Sequence, residues 1–194
     1  GIDPDSGEVP VIGGARLTGR VGAQTIGFLD IVANEAYGLP RGNFAVARFK
    51  RDIGGSNYVG AMLTDRRSNE ASNTTAGVDG SWWPTGPLNL QAFVAATATS
   101  GEGGDGAAYR LGLDYQTDLI GVQGQHLYVH PEANADMGFI PREDIRRTNG
   151  FARLTARPPA LGLRKIDHFA SADLVTSPSG CFVSRSTFTT ERVM

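Results

Sequence analysis

The stretch Tyr109-Arg110-Leu111-Gly112-Leu113-Asp114-Tyr115 decides the fold class. Read as a β-strand, it places Tyr, Leu, Leu and Tyr on one face and Arg, Gly and Asp on the other, because successive side chains point to opposite faces. The apolar face has aromatic rings at both ends and leucines between them, the order expected of a strand that crosses a lipid bilayer. The charged face then requires water, as in the lumen of a barrel. The stretch therefore predicts a transmembrane β-strand.

The composition excludes several classes of protein. The chain has 194 residues, a net charge of −2 and a hydrophobic content of 40%. This balance does not favour nucleic-acid binding. No run approaches the roughly 18 apolar residues of a membrane helix, whereas alternating barrel strands average to a near-neutral hydropathy. The single cysteine, Cys181, excludes an internal disulfide and a cysteine metal cluster.

The same alternation recurs along the chain and predicts about eleven strands. Many approach the ~9–11 residues that a tilted membrane strand needs, above the ~5–6 typical of soluble proteins. Short and longer connections roughly alternate, as the turns and outer loops of bacterial barrels do. The predicted strands are Ala15–Val21, Thr25–Asn34, Asn43–Arg51, Asn57–Arg66, Thr75–Trp83, Leu88–Thr99, Ala107–Tyr115, Leu119–Val129, Asn149–Arg157, Lys165–Thr176 and Phe182–Thr190. We therefore expect an all-β fold, an antiparallel meander of about 10–11 long strands that is a fragment of a transmembrane β-barrel.

Within the predicted strands, apolar and polar residues alternate, so that one face is apolar and the other is polar. We call these two sets of alternate residues the apolar parity and the polar parity. The polar residues expected to face a lumen are Arg48, Lys50, Asp79, Asn89, Gln91, Arg110, Asp114, Gln123, Gln125, Arg153 and Arg157. Five aromatic residues near strand ends on the apolar parity predict two girdles at the membrane interfaces, with Phe49, Trp82 and Tyr115 beside short turns and Tyr109 and Tyr128 beside long loops. His126 falls on the apolar parity. Phe44 and Phe93 fall on the polar parity, where they need glycines or a plug to pack against.

The chain carries no motif that assigns a catalytic residue, a cofactor or a metal ligand. The nucleophile elbow, the Walker pattern and the dinucleotide fingerprint are absent. His126 and His130 would lie about 13 Å apart along a strand, too far to share one ion. A glycoside hydrolase needs two opposed carboxylates, for which Asp79 and Asp114 on the polar parity are the candidates.

Four segments together resemble one bacterial family. They are VIGGARLTGR (11–20), NFAVARFKRD (43–52) followed by residues 56–63, TAGVDG (75–80) and GFIPREDIRR (138–147). In this combination the chain, up to about Val175, is similar to the bacterial domain-of-unknown-function family 5916. The resemblance implies an outer-membrane β-barrel. Longer members carry an upstream carbohydrate-binding family 9 type domain and some are labelled membrane-associated hydrolases, but the family has no established catalytic residues to transfer.

The segment 138–147 would lead from the longest outer loop into the next strand. Its charged side chains are expected to form a network with the lumen-facing Asp79 and Asp114. These side chains are Arg142, Asp144, Arg146 and Arg147.

Residues 1–194 are thus predicted to be one incomplete barrel segment of a longer protein in a bacterial outer membrane. It would contact the lipid bilayer as a channel, receptor or anchor, and would be linked to carbohydrate through a domain outside this chain. Two alternatives remain: a membrane-associated glycoside hydrolase, and a soluble β-sandwich binding module whose strands would alternate in the same way. A sandwich would cover the apolar parity with a second sheet, whereas a barrel leaves it facing lipid.

Overall fold

The computed structural model describes residues 2–3, 7–36, 38–100, 104–138, 142–157, 165–177 and 182–193. These residues form thirteen β-strands joined by turns and loops. The strands are β1 (Ile2–Asp3), β2 (Gly7–Glu8), β3 (Val11–Val21), β4 (Gln24–Ala33), β5 (Gly42–Asp52), β6 (Tyr58–Ser68), β7 (Ser72–Thr85), β8 (Leu88–Ser100), β9 (Gly106–Gln116), β10 (Ile120–Val129), β11 (Ile145–Ala156), β12 (Ile166–Thr176) and β13 (Phe182–Val193). The described residues include no helix that could span a bilayer.

Strands β3 to β13 form one antiparallel sheet in chain order. Each strand pairs with its neighbours in sequence, so the sheet is a meander, and the short strands β1 and β2 pair only with each other in the described chain. Its strands are long, from 10 residues in β4 to 14 in β7. The predicted all-β meander of about eleven strands is therefore confirmed.

Three strands begin three or four residues earlier than predicted, and the first of them is β3, which begins at Val11 rather than Ala15. β7 begins at Ser72 rather than Thr75, because the Ser68 hydroxyl accepts hydrogen bonds from the backbone N–H groups of Glu70 and Ala71 and closes a tight turn. The spacing of the predicted strands implies a longer connection from Arg67 to Thr74, and this expectation is wrong because only residues 69–71 separate β6 from β7. β11 begins at Ile145 rather than Asn149, since Ile145 pairs directly with Val129.

The sheet is staggered from strand to strand. Phe49 on β5 pairs with Ala61 on β6. The same row of directly paired residues continues through Val78, Val94 and Tyr109 to Tyr128 on β10. Phe49 lies near the end of β5 that leads into a short turn, whereas Tyr128 lies at the end of β10 that leads into the longest loop. Closing a sheet into a barrel requires a stagger of this kind. Among the described strands, β3 and β13 are not paired with each other, so the sheet is open.

The side chains that the sheet buries and exposes are the reverse of those in a typical soluble protein. The buried side chains on the sheet include six polar or charged ones, namely Thr64, Asn73, Asn89, Thr97, Thr155 and Asp167. Large apolar side chains are instead exposed, such as Val78 (59%), Leu111 (51%) and Leu154 (53%). Soluble domains bury their aliphatic residues and expose most polar ones. The buried apolar cluster in the described residues is small and consists of Val129, Ala133 and Ile145.

Candidate functional site

The pairing register puts ten of the eleven predicted lumen residues on one face of the sheet. Gln91, Gly112 and Gln125 lie opposite one another on β8, β9 and β10, and Asn89, Asp114 and Gln123 form the neighbouring row. We call this surface the polar face and the opposite surface, which carries Leu111 and Leu113, the apolar face. The eleventh residue, Arg157, lies just after the end of β11. The ten are Arg48, Lys50, Asp79, Asn89, Gln91, Arg110, Asp114, Gln123, Gln125 and Arg153.

An ion pair crosses three strands on the polar face. Arg48 on β5 reaches over β6 to Asp79 on β7 and contacts both carboxylate oxygens, with Nη2 2.9 Å from Oδ2. Gly60 on β6 makes this possible, because a β-carbon there would lie 2.7 Å from Arg48 Nη2. Lys50 lies 4.2 Å above the Tyr58 ring beside the pair. Both oxygens of Asp79 accept hydrogen bonds from Arg48, which makes this carboxyl group a poor proton donor to a glycosidic bond.

An open groove of about 560 Å³ runs across the middle of the polar face. Its volume falls within the ~300–1,000 Å³ range of small-molecule sites. Its polar lining is mostly amide and carboxylate side chains from β8 to β12. These are Gln91, Asp114, Gln123, Gln125, Asn149, Ser171 and Asp173.

Two acceptor atoms in this groove receive no hydrogen bond from the part of the chain that the structure describes. Gln123 donates to Asp114 Oδ2 at 3.5 Å, but Asp114 Oδ1 is buried and accepts no hydrogen bond from the described residues. Asn149 Oδ1 is also buried and accepts no hydrogen bond from the described residues. Gln91, by contrast, donates to Asn89 Oδ1 at 2.6 Å, and Asn89 donates to Ser81 at 2.8 Å. Buried acceptors are normally satisfied by protein or by water, so these two atoms are available to a donor from outside the described chain.

The loop after β10 folds back over one end of the polar face. Ala133 is 1% exposed and packs against Val129 and Ile145. The Asn73 amide on β7 donates to Asn134 O at 2.8 Å and accepts from the Asp136 N–H at 3.2 Å. Arg66 on β6 closes the bridge with an ion pair to Asp136 at 2.8 Å. Segment 130–138 therefore spans from β10 to β6.

This segment covers an apolar patch that lies on the polar face. Below it is a cavity of about 520 Å³, lined by Met62, Phe93, Ala95, Ala108, Leu127 and other residues. Phe93 thus has the plug that its parity requires. Phe44 has the glycine, because a β-carbon on Gly42 would come within 3.2 Å of its ring. The sequence placed these rings on the polar parity without showing which segment covers Phe93.

The charged side chains of segment 138–147 have contacts in the described structure that differ from the predicted ones to Asp79 and Asp114. Arg147 forms an ion pair with Asp173 on β12, with Nε 3.0 Å from Oδ1. Arg146, the preceding residue in β11, points to the apolar face and lies 5.9 Å from the centre of the Tyr128 ring. Asp144 accepts a hydrogen bond from Ser177, and Arg142 lines the cavity. Because β11 starts at Ile145, Arg146 and Arg147 are consecutive residues of a strand, and their side chains point to opposite faces of the sheet.

Parts of the sequence that entered these predictions fall outside the described structure. They are Cys181 and residues 139–141 of segment 138–147.

A further ion pair lies outside the strands, at the end of the sheet that carries the short turns. Arg157 donates to Asp118 Oδ1 at 2.7 Å, and also contacts the other oxygen. The hydrogen bonds from Arg157, aided by its positive charge, hold the pKa of the Asp118 carboxyl below its usual value. Arg153 donates to Thr117 O at 2.9 Å in the same turn.

The predicted girdle residues lie on the apolar face. Tyr109 and Tyr128 stack with ring centroids 5.3 Å apart, and His126 contacts the Tyr109 hydroxyl at 3.4 Å and Thr148 Oγ1 at 2.7 Å. Trp82 is 57% exposed. The remaining members, Phe49 and Tyr115, pair with residues of the same face, Ala61 and Val122. His126 therefore lies on the apolar face with both ring nitrogens in contact with polar atoms.

Comparison with known proteins adds no assignment to these residues. No protein-family model matches this chain, and a search of curated proteins gave no match.

Proposed function

We propose that this chain forms part of the wall of a transmembrane β-barrel in a bacterial outer membrane, as a channel, receptor or membrane anchor. The observation that carries the proposal is the reversed burial of the two faces. Polar side chains such as Asn73 (1%) and Asn89 (2%) are shielded on the polar face, while the aliphatic residues of the apolar face stay open. The polar face is the one that would line the lumen.

Physical chemistry favours lipid as the medium for the apolar face. Monomeric soluble proteins rarely expose apolar patches larger than a few hundred Å², whereas here the apolar face extends over β5 to β12. A bilayer accepts such a surface if the backbone groups are paired between strands. The stagger of the sheet supplies the tilt that barrel strands need.

The resemblance to family 5916 supports the same proposal. It adds the expectation that the parent protein handles carbohydrate, through a domain outside this chain. The soluble sandwich has less support, because the surface formed by Val94, Leu111 and Leu113 carries no second layer from the described residues.

Cysteine labelling in outer-membrane preparations tests the proposal. In a Cys181→Ser background, Gln125→Cys on the polar face should react with a membrane-impermeant maleimide, and Leu111→Cys on the apolar face should react only after unfolding. Gln125 pairs with Gly112 and Leu111 pairs with His126. The two positions therefore lie in neighbouring rows of the sheet and at nearly the same depth. Equal labelling of both in the folded protein, or recovery of the protein as a water-soluble monomer, would contradict the proposal.

A further inference from the structure

The groove on the polar face combines unsatisfied acceptors with an exposed aromatic ring. Phe151 is 36% exposed and lies between Gln123 and Ser171 in its row. It stacks on Phe169 with centroids 5.9 Å apart and planes at 29°. The ring therefore has a fixed orientation, and part of it remains open beside the amides of the groove.

The charge of the groove narrows the class of ligand. Asp173 is neutralised by Arg147, and Asp114 keeps one carboxylate oxygen without a donor. The described lining contains no Lys or Arg, and the neighbouring Arg147 is already paired with Asp173, so phosphate or another anionic group would have to compete for its cation. What the groove offers is amides that both donate and accept, together with two acceptors that need hydroxyl or amide donors.

Space for a ring is left along the floor of the groove. Gly112 lies between Gln91 and Gln125, and a β-carbon there would be 3.6 Å from the Gln91 side chain. The absence of a side chain at this position keeps the middle of the row open. A flat ligand can therefore reach Phe151 and the amide row together.

We infer that this groove binds a neutral oligosaccharide. Its hydroxyl groups would donate to Asp114 Oδ1 and Asn149 Oδ1, and the apolar C–H face of a sugar ring would stack on Phe151. The inference rests on the proposed function, which puts this face in water inside a barrel. It adds the substrate class and the residues that would recognise it.

Calorimetric titration of the refolded full chain in detergent micelles tests the inference without requiring membrane insertion. The probes are neutral hexasaccharides with glucose, xylose or N-acetylglucosamine units, with hexaglycine as a neutral peptide probe. At least one hexasaccharide should bind. Phe151→Ala should weaken that binding about tenfold, which corresponds to about 1.4 kcal/mol, because the sugar ring loses the aromatic surface on which it would stack.

Two further variants keep the result interpretable. Phe49→Ala removes a ring of similar exposure from the apolar face (42% against 36%) and should leave binding unchanged. Asn149→Ala keeps the ring but removes one acceptor, and should weaken binding several-fold. If no hexasaccharide binds, if hexaglycine binds equally well, or if Phe151→Ala and Phe49→Ala behave alike, the inference is wrong. Failure of the membrane proposal would appear separately, in the cysteine labelling.

Discussion

Asp118 and Arg157 join the turn after β9 to the end of β11 through a two-point ion pair. Both side chains are well exposed, at 70% and 48%, so the pair is screened by solvent. Its effect should therefore be visible in the titration of the carboxyl rather than in overall stability.

The pKa of Asp118 should be lower in the folded chain than the ordinary value of about 3.9. Because the folded pKa is depressed, the contribution to stability is fully present above the ordinary pKa and is lost as the pH falls through the folded pKa. Carbon NMR titration of the Asp118 carboxyl should show this shift, and Arg157→Ala should return the pKa towards the ordinary value. An identical titration in both proteins would show that the ion pair does not form.

At the level of single residues, the sequence revealed faces but not partners. The two-residue period was sufficient to put Gln91, Asp114 and Gln125 on one side, because alternation is a local property of extended chain. It could not show that Asn73 binds Asn134 and Asp136, since those contacts depend on the path of a loop about sixty residues away. The groove acceptor Asn149 was missed because it was placed at the start of its strand.

Segment 130–138 depends on the close approach of two backbones. A β-carbon on Gly106, the first residue of β9, would lie 2.4 Å from the backbone of Ala133. Real β-carbons do not come so close to backbone atoms, so only glycine allows the segment to lie against the sheet.

Gly106→Ala should therefore displace segment 130–138 and cost about 1–3 kcal/mol, as overpacking in a fitted site does. Hydrogen exchange of the Asp136 amide, which donates to Asn73, should become much faster. Gly124→Ala is the matched control, because Gly124 is also in a strand and nothing lies within 4 Å of its added β-carbon. Unchanged exchange at Asp136 in the Gly106 variant would contradict the assigned packing.

Strands were more predictable than the connections between them. All eleven strands of the sheet follow from local alternation, whereas the turn at residues 69–71 and the path of segment 130–138 follow from tertiary contacts. Phe93 illustrates the limit. Its parity indicated that something must cover it, but only the fold shows that the cover includes the loop from the far end of β10.

At the scale of the whole molecule, the open sheet has two edges that present unpaired backbone groups. Within the described chain these edges are β3 and β13. Such edges pair readily with other strands, and a membrane requires that they do so, because lipid offers no hydrogen-bond partners. The barrel proposal therefore requires both edges to be paired in the membrane.

The central claim is that the apolar face contacts lipid and the polar face contacts water. The most direct test is to measure the environment of each face in a bilayer by tryptophan fluorescence quenching. Trp82 and Trp83, the only tryptophans of the chain, are first replaced by Phe, and one tryptophan is then introduced as Leu111→Trp or as Gln125→Trp. In phospholipid vesicles, Leu111→Trp should be quenched strongly by lipids brominated in mid-chain and weakly by aqueous acrylamide, and Gln125→Trp should show the reverse. Strong acrylamide quenching of Leu111→Trp, with no effect of the brominated lipid, would contradict the assignment of the apolar face to lipid.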